Sequence, residues 1–416
     1  MKTKNLLLLA LGLVVTQTFA QFTLSGEFRP RTEFRNGYKT LNPSDADPAL
    51  ATTQRIRLIT NYTTEKYSFF VSVQDVRVWG DVPQLNVSDK NGLALHQAYG
   101  SINFDAFSIK AGRQEIVYDD QRMFGNVGWA QQGRSHDALL FSFGKTFKLD
   151  IGLAFNQDKE GLEGNIYTVP NSYKAMQYGW FNKKWDAVGL SLLFLNNGLQ
   201  YIDLADNTKS EIRYSQTLGT HLKFKITNGL NAAVNGYYQF GKDIKYTNVN
   251  AFLVGLDLGY KASDVWSVGL GFEMQSGNDY NAPNEENKAF NPFYGTNHKF
   301  NGFMDYFYVG NHLNSTGLID VFAKVSANLN QKMNLTLFAH NFTSYAEVAE
   351  DVEKQLGTEL DLVYKYKFDK DISLAAGYSQ MFATEGMEVL KKNFDGNTNN
   401  WAWLMLTINP TLFTSK

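Results

Sequence analysis

Apolar and polar side chains alternate with a period of two along almost the whole chain, and that pattern confines it to strands. Phe22, Leu24, Gly26, Phe28, Pro30, Thr32 and Phe34 share one parity; Thr23, Ser25, Glu27, Arg29, Arg31, Glu33 and Arg35 share the other. Successive side chains of a strand point to opposite faces, so this segment has one apolar and one charged wall. The same alternation marks Phe147–Phe155, Trp266–Gln275 and Leu360–Lys367, and roughly 212–226, 319–329 and 372–380. A soluble sandwich would cover the apolar face with a second sheet, whereas a membrane barrel would turn it to lipid and the polar face to a lumen.

The connections decide between these two. Short ones at 62–66, 103–106, 144–146, 182–185, 227–229, 261–264, 330–332 and 369–371 alternate with longer ones near 36–52, 81–93, 118–136, 157–173, 197–210, 242–248, 277–316, 344–356 and 385–399. Short periplasmic turns and long external loops are the mark of outer-membrane barrels. The alternation predicts an all-β, transmembrane antiparallel barrel of about 18 strands, the even count that antiparallel closure needs. Three local features are expected within it. Pro30 should leave a bulge or an unpaired site in the first strand. A bulge near Asp75 should reset the phase of 67–79, and the spacing of Tyr345, Val348, Ala349, Val352 and Leu356 predicts a short helix in an external loop.

Export is implied by the first twenty residues. Lys2 and Lys4 precede an apolar run from Leu6 to Val15, and Thr18 and Ala20 place small residues before Gln21. This is the pattern of a signal peptide over 1–20, with the barrel occupying 21–416. No later apolar run exceeds about six residues, where a spanning helix needs about twenty. The 31 Phe, 22 Tyr and 7 Trp suit a barrel that meets lipid, and the absence of cysteine excludes disulfides, thiolate metal sites and lipid attachment at cysteine. The formal charge is −2, and −4 once the two leader lysines are gone, so there is no bulk basicity for nucleic acid.

The arginines are unevenly placed. All ten lie between positions 29 and 213, and nine lie by position 134. Arg29, Arg31, Arg35, Arg55 and Arg57 fall on the polar parity of the first two strands and should project into the lumen as neighbours. Arginine keeps its charge and offers a planar fork of donors to carboxylates, and rings of Arg and Lys are how a pore prefers anions. Glu27, Glu33 and Asp75 would hold these arginines and moderate their grip. Catalysis has little support: six histidines occur without an HExxH pair or a GxSxG elbow.

Four blocks carry a family resemblance. They are Arg29-Pro30-Arg31, Gln74-Asp75-Val76-Arg77-Val78-Trp79, the stretch 112–137, and Tyr294-Gly295-Thr296 with His298-Lys299-Phe300 and Gly302-Phe303-Met304-Asp305-Tyr306. In the third block, Gly112-Arg113-Gln114-Glu115 is followed by Asp119-Asp120-Gln121-Arg122 and by Trp129-Ala130-Gln131-Gln132, Arg134, His136 and Asp137. The chain resembles the alginate export family of outer-membrane porins. That resemblance implies an eighteen-stranded barrel with an arginine-rich constriction that passes anionic polysaccharide and is occluded by loops. By position it adds Arg77, Arg113, Arg122 and Arg134 to Arg29, Arg31, Arg55 and Arg57 as pore-lining candidates.

The 277–316 connection is the natural external gate, because its aromatics need burial and the barrel mouth is the nearest shelter. Tyr294, His298, Lys299, Phe303, Asp305 and Tyr306 are its candidate sugar contacts. The competing expectation is that 303–308 begins the next strand, with its aromatics in an interfacial belt. No cofactor, catalytic residue or metal is expected. The expected partners are an anionic oligo- or polysaccharide and outer-membrane lipid, with no nucleic acid and a monomer favoured. The alternative is a structural or ligand-binding barrel whose aromatic loops hold a partner without transport.

Overall fold

The computed structural model describes residues 20–415 except 171, 204–209, 284 and 394–397. The expected leader lies, up to residue 19, outside the described residues. Among the described residues, eighteen antiparallel strands close into one barrel. They are β1 (Gln21–Asn36), β2 (Ala49–Thr63), β3 (Tyr67–Val78), β4 (Ala94–Asn103), β5 (Phe107–Gln114) and β6 (His136–Phe143). Next come β7 (Lys148–Phe155), β8 (Ala175–Lys184), β9 (Val188–Ile202), β10 (Ser210–Lys225), β11 (Leu230–Lys242) and β12 (Asn248–Lys261). The last six are β13 (Trp266–Gln275), β14 (Leu318–Asn328), β15 (Met333–Thr343), β16 (Gln355–Lys367), β17 (Ile372–Ala383) and β18 (Asn399–Ile408). Closure pairs β1 with β18, from Phe28 opposite Ile408 to Asn36 opposite Asn400.

Turns of three or four residues alternate with longer connections, as the sequence predicts. Apolar side chains of the outward parity, such as Ile56, Leu58, Leu192, Phe194, Leu270 and Leu404, are exposed on the barrel wall, the face that a membrane barrel turns outward, and among the described residues no second sheet covers them.

The three local expectations fare differently. At Pro30 the β1–β18 pairing skips Arg29 and Pro30 without a change of register, so the missing N–H leaves a gap and no bulge. The β3 irregularity lies between Ser72 and Val73, where His96 of β4 is the extra residue, and the register against β2 runs unbroken past Asp75. Residues 345–356 form no helix. Tyr280 N–H donates to Glu347 O at 3.0 Å and Ala346 N–H to Thr316 O at 2.8 Å, so contacts with the neighbouring loop override the local helical spacing. The helix instead is α1 (Glu385–Lys391), between β17 and β18.

A barrel lumen is ordinarily polar, but two connections fold into this one and build apolar cores there. Residues 115–135 and 276–317 supply Tyr118, Phe124, Phe290 and Tyr294 to a cluster against Tyr178, Trp180, Leu195 and Leu253. Met304, Tyr306 and Phe307 supply a second, against Phe342, Met387 and Trp401. Residues 303–308 therefore belong to the infolded connection, and the next strand begins at Leu318.

Candidate permeation path

The two infolded connections cross inside the barrel. Gly125 N–H donates to Tyr294 O and Thr296 N–H to Gln121 O, both at 2.9 Å. A Cβ on Gly125 would sit 2.8 Å from Thr296 N, and one on Gly295 would sit 2.3 Å from Arg122 O, so only glycine permits this approach. Beside the crossing, Val127 has φ of 51°, an uncommon conformation for a β-branched residue, and its N–H is held by Thr296 Oγ1 at 3.0 Å.

The arginines of β1 and β2 do face the lumen, and what they meet there is the segment 128–132. Arg29 donates to Gly128 O at 2.7 Å and also reaches Trp129 O, Ala130 O and the Gln131 side chain. Arg31 donates to Trp129 O at 2.6 Å, Arg55 to Gln131 O at 3.0 Å and Arg57 to Gln132 O at 3.3 Å. Glu33 pairs with Arg31, and Glu27 with Arg55. Arg29, Arg31 and Arg55 are consequently buried. The Arg29 fork is filled by neutral acceptors, which satisfy its donors and leave its charge in place, while Arg31 and Arg55 each divide theirs between carbonyls and one carboxylate.

The remaining arginines separate. Arg134 donates to Gly295 O at 2.9 Å, and Arg122, only 1% exposed, is bonded to Glu273 and to Asn301 at 2.9 Å, so both tie the two connections together. Arg113 corrects the expectation of a pore-lining role. It lies opposite Ala98 and Asp137 on the parity of Phe107, Ile109 and Ala111, which is the outward one, and bonds Asp137 at 2.8 Å. Arg77 borders the mouth cavity but shares the outward register row of Gln54 and Pro30, clamped by Asp75 and Asp89.

The gate residues divide in the same way. Tyr294 and Tyr306 are buried, with their hydroxyls bonded to Asn197 and to Gly37 O, so they are anchors and present no free face to a sugar. His298 stacks on Trp129 with centroids 4.6 Å apart, and the same indole carries the Arg31 guanidinium at 3.9 Å. Asp305 accepts from Tyr38 at 2.5 Å and pairs with His298 at 2.8 Å. Burial would raise the Asp305 carboxyl, but His298 and Tyr38 hold it below the usual carboxylate range. Lys391 on α1 donates to Tyr306 O and Asn311 O, and burial pushes its ammonium down to about 7.

The crossing divides the lumen into two chambers. Gly295, Asn297 and His298 line an upper cavity of about 550 Å³ at the long-loop end, together with Arg31, Arg35 and Lys39. Lys299, Phe300, Asn301 and Phe303 line a lower one of about 650 Å³ that extends toward the short turns and includes Lys223 and Lys324. Sequence reasoning missed the segment 128–132 as the cap on the arginines, and it missed Lys223 and Lys324, which are far apart along the chain. Among the described residues, the arrangement brings together charged and hydrogen-bonding groups but no nucleophile activated by a base.

A family pattern described as Alginate export matches residues 20–388. The fold is similar to that of Acinetobacter baumannii OccAB1, with 14% identity over 95% of this chain and 97% of that one and a TM-score of 0.64. It is also similar to Acinetobacter baumannii OccAB3, at 10% identity over 95% and 99% with a TM-score of 0.64. Pseudomonas aeruginosa OpdK, solved with vanillate, has 10% identity over 95% and 99% and a TM-score of 0.60. No curated protein sequence matches the chain.

Proposed function

The chain belongs to the alginate export family, and from that premise we propose that it is a passive channel of the Gram-negative outer membrane for an anionic oligo- or polysaccharide. An outer-membrane channel is what the family and the porin-like neighbours support. One observation carries the choice of an anionic solute. Arg29, Arg31, Arg55 and Arg57 share one lumen wall with only Glu27 and Glu33 as paired carboxylates, and most of their other partners are uncharged.

Carbonyls neutralise no charge, so the wall attracts anions through the field while its donors stay occupied. Such a surface draws a polyanion in without holding it, which suits transit. Arg35 and Lys39 at the mouth extend the positive path outward.

Reversal potentials in a salt gradient test the reading. Anion preference is expected, together with current block by alginate oligomers and none by neutral dextran oligomers of equal length. Replacing Arg29, Arg31 and Arg57 by Glu should move the potential toward cations; cation preference in the unaltered protein would overturn the proposal. The infolded apolar cores favour one second reading, a barrel that binds without conducting, and absence of channel steps in a folded preparation would select it.

A further inference from the structure

The lower chamber combines a phenyl-rich lining with a set of lysines. Barrel lumens are polar, yet Phe300, Phe303, Phe322 and Phe338 are only partly covered and border this chamber. Phe322 and Phe338 lie on the inward rows of β14 and β15, in register with His340 and Lys324. Phe303, from the crossing, meets Phe338 edge-on at 5.3 Å. Part of this phenyl surface holds the crossing to the wall, but the exposed remainder faces solvent inside the barrel.

The charges of the same chamber are lysines. Lys223, Lys299 and Lys324 are exposed to it, and among the described residues none has a carboxylate within 4.0 Å. The neighbouring acids are largely committed: Glu273 to Arg122, Asp320 to His340, and Asp120 to the Asn235 amide at 2.6 Å. Asp257 is the remaining carboxylate on the wall. Lys299 donates one bond, to Asp120 O at 2.8 Å, and Lys324 stands over the Phe338 ring at 5.1 Å. The enclosing wall lowers the Lys299 ammonium below its ordinary range, and Lys223 and Lys324 add to this against the pull of Asp120 and Asp257. An incoming anion would relieve that repulsion.

We propose that the lower chamber is a binding site for a small aromatic carboxylate, whose ring lies against Phe338 and Phe303 while its carboxylate is held by Lys299 and Lys324. The volume, about 650 Å³, suits a small molecule with room for water. A flat aromatic ring would cover this phenyl surface with carbon on its whole face, whereas the pyranose of a sugar acid offers only a narrow C–H face between hydroxyls. This site is separate from the arginine wall, and its occupancy does not depend on the selectivity of the whole pore.

Fluorine NMR titration of the purified full-length barrel in detergent tests it, with para-fluorobenzoate as the probe. Binding should be about ten-fold tighter than for fluoroacetate, which lacks the ring, or para-fluorobenzamide, which lacks the charge. Lys299→Gln and Lys324→Gln should each weaken it about five-fold and Phe338→Ala by a similar factor, with Phe338→Leu recovering part of the loss. Arg35→Gln at the mouth should change nothing. Heat-dependent gel mobility verifies that each variant is folded.

Equal affinity for fluoroacetate would overturn the proposal, as would folded lysine variants that bind like the parent. Displacement of the probe by glucuronate as readily as by benzoate would show a site that reads charge alone, and would equally overturn it. None of these outcomes bears on the reversal potential, so the two readings fail separately.

Discussion

The arginine wall above the crossing and the lysine chamber below it are both basic, and they hold their charge differently. Above, Arg29, Arg31 and Arg55 are buried, and their forks are filled by the backbone of 128–132 together with Glu33 on Arg31 and Glu27 on Arg55. Below, Lys223, Lys299 and Lys324 stay exposed and, among the described residues, have no carboxylate within salt-bridge range. A guanidinium offers five donors in a rigid fork and keeps its charge when buried, so it can organise a loop and still project a field. An ammonium is a compact, strongly hydrated charge on a flexible stem, better suited to meeting a mobile solute. The upper cluster is therefore part of the fold, and the lower one is available for contact.

The largest effect should come from removing the boundary between the two regions. Deleting 284–300 takes away Gly295, Asn297 and His298 above and Lys299 and Phe300 below. Single-channel conductance should rise several-fold. A deletion variant that folds, as judged by heat-dependent gel mobility, yet conducts like the parent would show that the crossing does not limit flow.

Stability should separate the regions next. Arg55→Ala leaves Glu27 and the carbonyl of Gln131 without their partner in a buried setting, a loss of about 3–5 kcal/mol. Lys223→Gln alters an exposed lumen side chain and should stay within about 0.5 kcal/mol. Unfolding midpoints in urea at fixed detergent concentration measure both. Equal losses would erase the distinction between a structural cluster and a free one.

Much of this contrast was readable in the sequence, because parity and connection length are local properties. The alternation from Phe22 to Arg35 already placed the arginines on the lumen side, and short turns alternating with long loops already closed the barrel. The four blocks of the family resemblance meet at the crossing: Arg29 and Arg31 on 128–131, Gln74 on Gln132, and Arg122 on Asn301. The guanidinium–carbonyl pairings themselves were not readable, since they join residues about a hundred positions apart and carry no side-chain signature on the carbonyl side.

The outward aspect of Arg113 is legible in its parity, against the pore-lining place that the family resemblance implies for it. Phe107, Ile109 and Ala111 share its parity, and that row faces out. The lower lysines gave no local signal, because Lys223, Lys299 and Lys324 come from β10, the crossing and β14 and only the closed barrel brings them together. The loop at 345–356 misled through its apolar spacing, which tertiary contacts overrode.

Lys391 provides the finest test, because it is a lysine placed in an arginine's setting. Like Arg29 it donates to carbonyls, those of Tyr306 and Asn311, and, although half-buried, it fastens the upper end of the infolded connection. An ammonium in such a place can discard its proton, and burial brings its pKa down to about 7. The unfolded chain keeps that proton up to about pH 10.4, so between about 7 and 10.4 the unfolded state binds more protons than the folded one. Stability therefore rises with pH across that window and is flat below it as far as this group is concerned. The gain between pH 7 and 8.5 should be on the order of 1–2 kcal/mol, read from urea midpoints. Lys391→Arg should remove the slope, since guanidinium does not titrate there, and would show why the wall of β1 and β2 carries arginine. A slope that persists in Lys391→Arg would assign the pH response to another group and end the analogy between Lys391 and the arginine wall.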